Sequence, residues 1–103
     1  MIQCLQCGKE FEPKKEGGSA AVISGSIMGD EYTESYFLCE RCDVYTVEVC
    51  YEPFLGDEEI SLQGPVPRAK GDAAVNLIKS CSEPWNKKCR CQAHLAYFDG
   101  ALD

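Results

Sequence analysis

The sequence predicts a small metal-organised α+β fold: an antiparallel β-sheet with one C-terminal helix and a second cysteine cluster. Three observations carry that expectation. Eight of the 103 residues are cysteine, and four of them form two Cys-x-x-Cys pairs, Cys4/Cys7 and Cys39/Cys42. The second pair lies between Tyr32–Leu38 and Val44–Tyr51, two segments that read as strands, and in Val44–Tyr51 apolar and polar residues alternate with the period of a half-buried strand. Beyond a stretch rich in proline and glycine, Ala74, Leu77, Ile78 and Cys81 recur at helical spacing.

The cysteine pairs come first because the rest of the chain is arranged about them. A Cys-x-x-Cys turn points two sulfurs at one ion, and a second such turn completes a tetrahedral Cys4 shell, the pattern of a structural zinc site. Met1–Phe11 reads as a short strand, a knuckle at Cys4–Cys7 and a second short strand. Gly8 follows the knuckle, where a residue without Cβ lets backbone N–H groups turn toward the thiolates. The run Cys4-Leu5-Gln6-Cys7-Gly8-Lys9-Glu10-Phe11 resembles the first knuckle of zinc ribbons, a likeness covering roughly residues 1–50. The resemblance implies a structural zinc ion held by Cys4, Cys7, Cys39 and Cys42. It implies no one function, since zinc ribbons serve in transcription, translation, enzymes and scaffolds alike. Rubredoxins, which bind iron through two similar knuckles, are the alternative. The first knuckle fits them, whereas Cys39-Glu40-Arg41-Cys42-Asp43 lacks their Pro and Gly, so zinc is expected and iron is the alternative metal.

The remaining elements follow in order. Glu12–Ser19 is a charged loop, Ala20–Ser24 a short strand, and Gly29-Asp30 a turn. Tyr32–Leu38 and Val44–Tyr51 form an antiparallel hairpin around the second knuckle, with Tyr45, Val47, Val49 and Tyr51 facing inward, so a three-stranded sheet with zinc at one end is expected. Cys50 lies on the more polar face, as a small semi-buried hydrophobe or a contributor to the second cluster. Pro53 ends the strand, Gly56–Glu59 is an acidic turn, and Ile60–Leu62 is a further short strand. Residues 63–70, with Pro65 and Pro67, read as an extended linker. The helix is expected over Asp72–Ser82, with Asp72 as N-cap and Pro84 barring continuation. The organisation is thus a zinc-ribbon-like β domain over 1–62, a linker over 63–70, and a helix plus Cys/His-rich segment over 71–103 docked on the ribbon.

Three cysteines and the single histidine cluster near the C-terminus. Cys81, Cys89, Cys91 and His94 make a permitted Cys3His zinc set, a candidate second site. The competing readings are Cys81 as part of the helix stripe with His94 on the surface, or a Cys89–Cys91 dithiol acting in redox chemistry. A [2Fe–2S] pattern fails, because no third cysteine precedes Asp99-Gly100.

Charge and composition exclude several functions. The net charge is −7, and it is uneven: residues 1–64 carry 4 Lys+Arg against 13 Asp+Glu, net −9, and residues 65–103 carry 6 against 4, net +2. Phosphate-backbone binding needs the opposite sign, so nucleic acid is disfavoured as a partner. The basic run Lys87-Lys88-Cys89-Arg90 reads as solvent-facing or as a neighbour of metal thiolates. No apolar run suits a membrane span and no secretory leader is expected, which together with Cys-x-x-Cys spacing favours metal over disulfides and a cytoplasmic location. No catalytic constellation stands out, so an enzyme is not expected. The reading is a zinc-binding accessory or protein-interaction module, another protein being the partner, with Tyr32, Trp85, Tyr97 and Phe98 as candidate contacts. The alternative is a redox or metal-handling protein using the second cluster, in which Lys87, Lys88 and Arg90 lower the thiol pKa values, or a rubredoxin-like iron electron carrier.

Overall fold

In the computed structural model, residues 3–11 and 21–100 are described. The expected loop Glu12–Ser19 lies outside them. The first hairpin joins β1 (Ala21–Ile27) to β2 (Asp30–Cys39) through Met28 and Gly29, whose φ values of 51° and 87° are those of a tight two-residue turn with right-handed strand twist. β2 continues through the second knuckle into β3 (Val44–Glu52), and β3 turns back into β4 (Glu59–Pro67). All pairings are antiparallel and the strand order is β1-β2-β3-β4. The fold class expected from sequence is therefore present, with four strands rather than three.

Two helices follow, α1 (Arg68–Lys79) and α2 (Gln92–Tyr97), and they cover one face of the sheet. The core beneath them is built from Ile23, Tyr36, Tyr45, Val47, Val49, Val75 and Ile78. The inward face of β3 is the odd-numbered one, as its alternation predicts, with Tyr51 only half-buried and stacked on Tyr32 at 4.9 Å. Tyr97 and Phe98 pack against this core. They are therefore not the exposed contacts that the sequence suggested, whereas Trp85 is 67% exposed.

The opposite face receives the N-terminal knuckle. Phe11 lies 5.4 Å from Phe37, and the Leu5 N–H donates to Thr46 Oγ1 at 3.2 Å. Thr46 is fully buried although it sits on the polar side of β3, and this hydrogen bond is what makes its burial tolerable. The two flanks expected around the knuckle meet only at a bridge between Gln3 and Glu10.

The expected linker over 63–70 is instead the second half of β4 and the first turn of α1. Its Gly and Pro mark a β-bulge. Register passes from Tyr45↔Val66 to Val47↔Gln63, so Gly64 and Pro65 together oppose Thr46 alone. Gly64 has φ 136°, and a Cβ there would lie 2.9 Å from the Tyr45 carbonyl. Proline is tolerated because β4 is an edge strand. The helix also starts earlier than expected, directly from the strand with Pro67 at its N-cap. Asp72 is thus not a cap; its carboxylate accepts from Tyr45 Oη at 2.6 Å and from Arg68 Nε, and these donors hold its pKa low.

Helix α1 approaches the sheet at Gly71. A Cβ at that position would meet the Tyr45 ring at 2.0 Å, and that ring is buried and tethered at its hydroxyl. Alanine in a helix interior normally gains about 0.5–1 kcal/mol over glycine. Here overpacking outweighs that gain, and Gly71→Ala is expected to destabilise the fold by about 1–3 kcal/mol. Urea unfolding of the two proteins measures the sign, and a higher midpoint for the alanine variant would contradict this packing.

Candidate metal centres

Both cysteine sets assemble. The sulfurs of Cys4, Cys7, Cys39 and Cys42 lie within 4.8 Å of one another, and so do the ligand atoms of Cys81, Cys89, Cys91 and His94. None of the eight cysteines is in a disulfide.

The first set is made by two knuckles of the same conformation. Gly8 N–H donates to the Cys4 carbonyl at 2.8 Å, and Asp43 N–H donates to the Cys39 carbonyl at 2.8 Å. The donor residue is left-handed in both, with φ 79° at Gly8 and 59° at Asp43. Asp is among the few residues that take this conformation at modest cost, and Asp43 is further tied to Arg68 Nη1 at 2.7 Å. The missing glycine after Cys42 therefore changes the residue and not the turn. It gives no ground for choosing zinc over iron, contrary to the reading from sequence.

The second set is held by the edge of the sheet. Ser24 lies in β1, an edge strand whose outer groups face no further strand among the described residues. Its N–H donates to the Pro84 carbonyl at 2.8 Å, and its carbonyl lies 3.0 Å from His94 Nε2. That contact makes Nε2 the protonated nitrogen and leaves Nδ1 as an acceptor facing the sulfurs, 3.1 Å from Cys81 and 3.5 Å from Cys91. A metal-binding histidine is oriented in this way by a carbonyl on its far nitrogen. His94 is fully buried, which rules out the surface reading. Cys91 is the N-cap of α2, its sulfur accepting from His94 N–H at 3.4 Å. The Cys-x-x-His spacing is thus also a helix cap, and α2, which sequence reasoning did not foresee, begins there. Cys81 sits just past α1 and accepts from Glu83 N–H, so it serves this cluster as well as lying in the helical stripe.

The spacing of the donors suits a tetrahedral ion. Metal–sulfur bonds of about 2.3 Å place tetrahedral sulfurs about 3.8 Å apart. Cys7 and Cys39 are separated by 3.8 Å and Cys81 and Cys89 by 3.7 Å, while Cys81 and Cys91 lie closer, at 3.3 Å. Soft thiolates with one imidazole are the donor chemistry of zinc or iron and not of calcium or magnesium.

Electrostatics points the same way. Despite burial, N–H groups of Cys7 and Gln6 bring the Cys4 thiol down to about 7. Its neighbour Cys42 is pushed up to about 12 by hydrogen bonding with Cys7 and by desolvation. In the second set the His94 backbone N–H brings Cys91 down to about 6, while burial and Cys91 raise Cys81 to about 11. The depression of Cys91 comes from His94, not from Lys87, Lys88 and Arg90. In each cluster, then, one thiol ionises at the expense of another, and the four thiolates of the first set, or the three of the second, would coexist only beside a cation.

Cys50 joins neither set. It groups with Glu52 and Glu58, both exposed, and burial together with Glu58 raises its thiol to about 11. It is a protonated, half-buried side chain at neutral pH, and the notion that it serves the second cluster is not met. Among the described residues no helix is long and apolar enough to cross a membrane. No family model, curated protein or solved structure matches this chain.

Two outcomes follow. Because Cys42 and Cys81 hold their protons at pH 7, ion binding must expel at least one proton per site, and affinity must rise with pH as protons compete less. Calorimetric titration of metal-free protein in buffers of different ionisation enthalpy counts them, and a count of zero would refute the ligand assignment. His94→Ala removes both the Nδ1 donor and the link to Ser24. It is expected to lower bound metal by one equivalent per chain and to speed amide exchange at Ser24 by about tenfold or more, as for a locally opened edge.

Proposed function

We propose that the protein is a zinc-binding protein-interaction module, with a structural zinc in the Cys4 set and a second in the Cys3His set. The observation carrying this reading is that each set supplies four converging protein donors. A filled tetrahedral shell has no place for a reactive water, which suits a structural ion and not a catalytic one. Zinc is favoured because no other feature of the chain calls for redox chemistry, and metal-linked folding suits a small sheet with one face only partly covered. Interaction with another protein is favoured by what the fold leaves outside: Trp85, Phe54, Leu55 and Ile60 are largely exposed. Nucleic acid fits less well, since Lys87 is paired with Glu31 and Arg90 donates to the carbonyls of Lys87 and Cys89. Two of the run's three basic side chains are thereby engaged within the protein itself.

A second reading is supported by the half-exposure of Cys89 and Cys91 and the low Cys91 pKa. In it the second cluster exchanges its metal or its thiols react, while the Cys4 ion stays in place.

Elemental analysis with thiol titration under non-denaturing conditions separates these. Two zinc ions per chain with thiols inert to a mild disulfide reagent is the expected result. One retained zinc and rapid reaction confined to the C-terminal cysteines would favour the second reading, and a coloured sample with bound iron would replace both with an electron carrier. Cys39→Ser is expected to abolish the first ion and native structure together, because zinc contributes folding free energy on the order of 10 kcal/mol at such sites.

A further inference from the structure

Beside the second cluster, on the sheet face away from the helices, lies a cavity of about 450 Å³ that neither metal set uses. Its floor is Ser24 and Thr33, joined by a hydroxyl–hydroxyl bond of 2.9 Å. One wall carries Glu31 and Glu52, and the other is the loop with Trp85 and Lys87. The loop is positioned by the Ser24–Pro84 hydrogen bond and the Cys81 and Cys89 ligands on either side of it.

Two features of this cavity ask for a guest. Glu31 and Glu52 are direct cross-strand partners, and like charges in that relation destabilise a sheet. Lys87 binds both oxygens of Glu31, so one ammonium faces two carboxylates and the site retains a net negative charge. The second feature is Trp85, the sole tryptophan, 67% exposed and lining a cavity that also carries Glu31 and Glu52. An indole face and a carboxylate together attract a cation on an apolar stem. A planar guanidinium meets both at once, stacking on the ring and forking to the carboxylate.

We propose that this cavity is a binding site for a guanidinium group, held between Trp85 and Glu52, of the kind an arginine side chain presents. An anion is repelled by the net charge, and a purely apolar guest would strand Glu52 and the hydroxyls. The proposal deepens the interaction-module reading by stating what a partner displays. A free guanidinium compound tests it without any partner, so its failure and the failure of that reading are separable.

The test titrates N-acetyl-arginine-amide into the metal-loaded full chain while Trp85 fluorescence is followed. Saturable change with half-saturation between about 1 and 30 mM is expected, with matched sodium chloride and N-acetyl-glutamine-amide giving none. Glu52→Gln retains the fluorophore and relieves the Glu31–Glu52 repulsion, so it is expected to fold with undiminished stability and to bind about fivefold or more weakly. A blocked lysine that binds more tightly than arginine would reassign the site to alkylammonium groups. Magnesium giving the same response would reassign it to a metal. No saturable response, or one unchanged by Glu52→Gln, would overturn the proposal.

Discussion

Three or four thiol groups brought within a few ångströms cannot all ionise, and most of this structure depends on that constraint. Left alone, each cluster compromises: Cys4 and Cys91 lean toward thiolate, while Cys42 and Cys81 are forced to keep their protons. A dication would remove the conflict, and the same donors would then fix chain segments with little apolar area of their own. The N-terminal turn touches the sheet through Thr46 and Phe37, and α2 is only six residues long, well short of what a helix needs to persist alone. Both are secured by their cysteines.

The two sets differ in what they hold. The first lies within the β2–β3 turn, joining the N-terminus to the end of a central hairpin. The second closes an edge. Ser24 offers its N–H and C=O away from the sheet, and the C-terminal segment satisfies both through Pro84 and His94. An open strand edge invites pairing with other chains, so His94, the candidate fourth donor of the second set, also blunts β1. Among the described residues no comparable cover lies on β4, where Pro65, Pro67 and the bulge interrupt the edge instead.

The sequence made the first site and the central hairpin legible because their signals are local. Two-residue alternation marks β3, and Cys-x-x-Cys spacing marks the knuckles. It misread residues 63–70 because glycine and proline mark loops and bulges alike; only the pairing partner, Thr46, distinguishes them. It placed the helix a turn late because Asp72 is as good a cap by composition as it is a partner for Tyr45 and Arg68, and the choice is made by a tyrosine 27 residues away. The second helix was hidden because its cap is a cysteine, a residue that carries no capping preference until its sulfur is a thiolate.

His94 shows how far the spacing alone could go. Three residues after Cys91, it is compatible with a metal ligand, a surface side chain or a satisfied core histidine, and nothing nearby in sequence decides. The decision comes from Ser24, 70 residues away. A backbone carbonyl cannot donate, so the nitrogen facing it must carry the proton, and in the neutral ring the other must then offer a lone pair. That lone pair points at Cys81 and Cys91. An ion placed between Nδ1 and the sulfurs would be met by that lone pair.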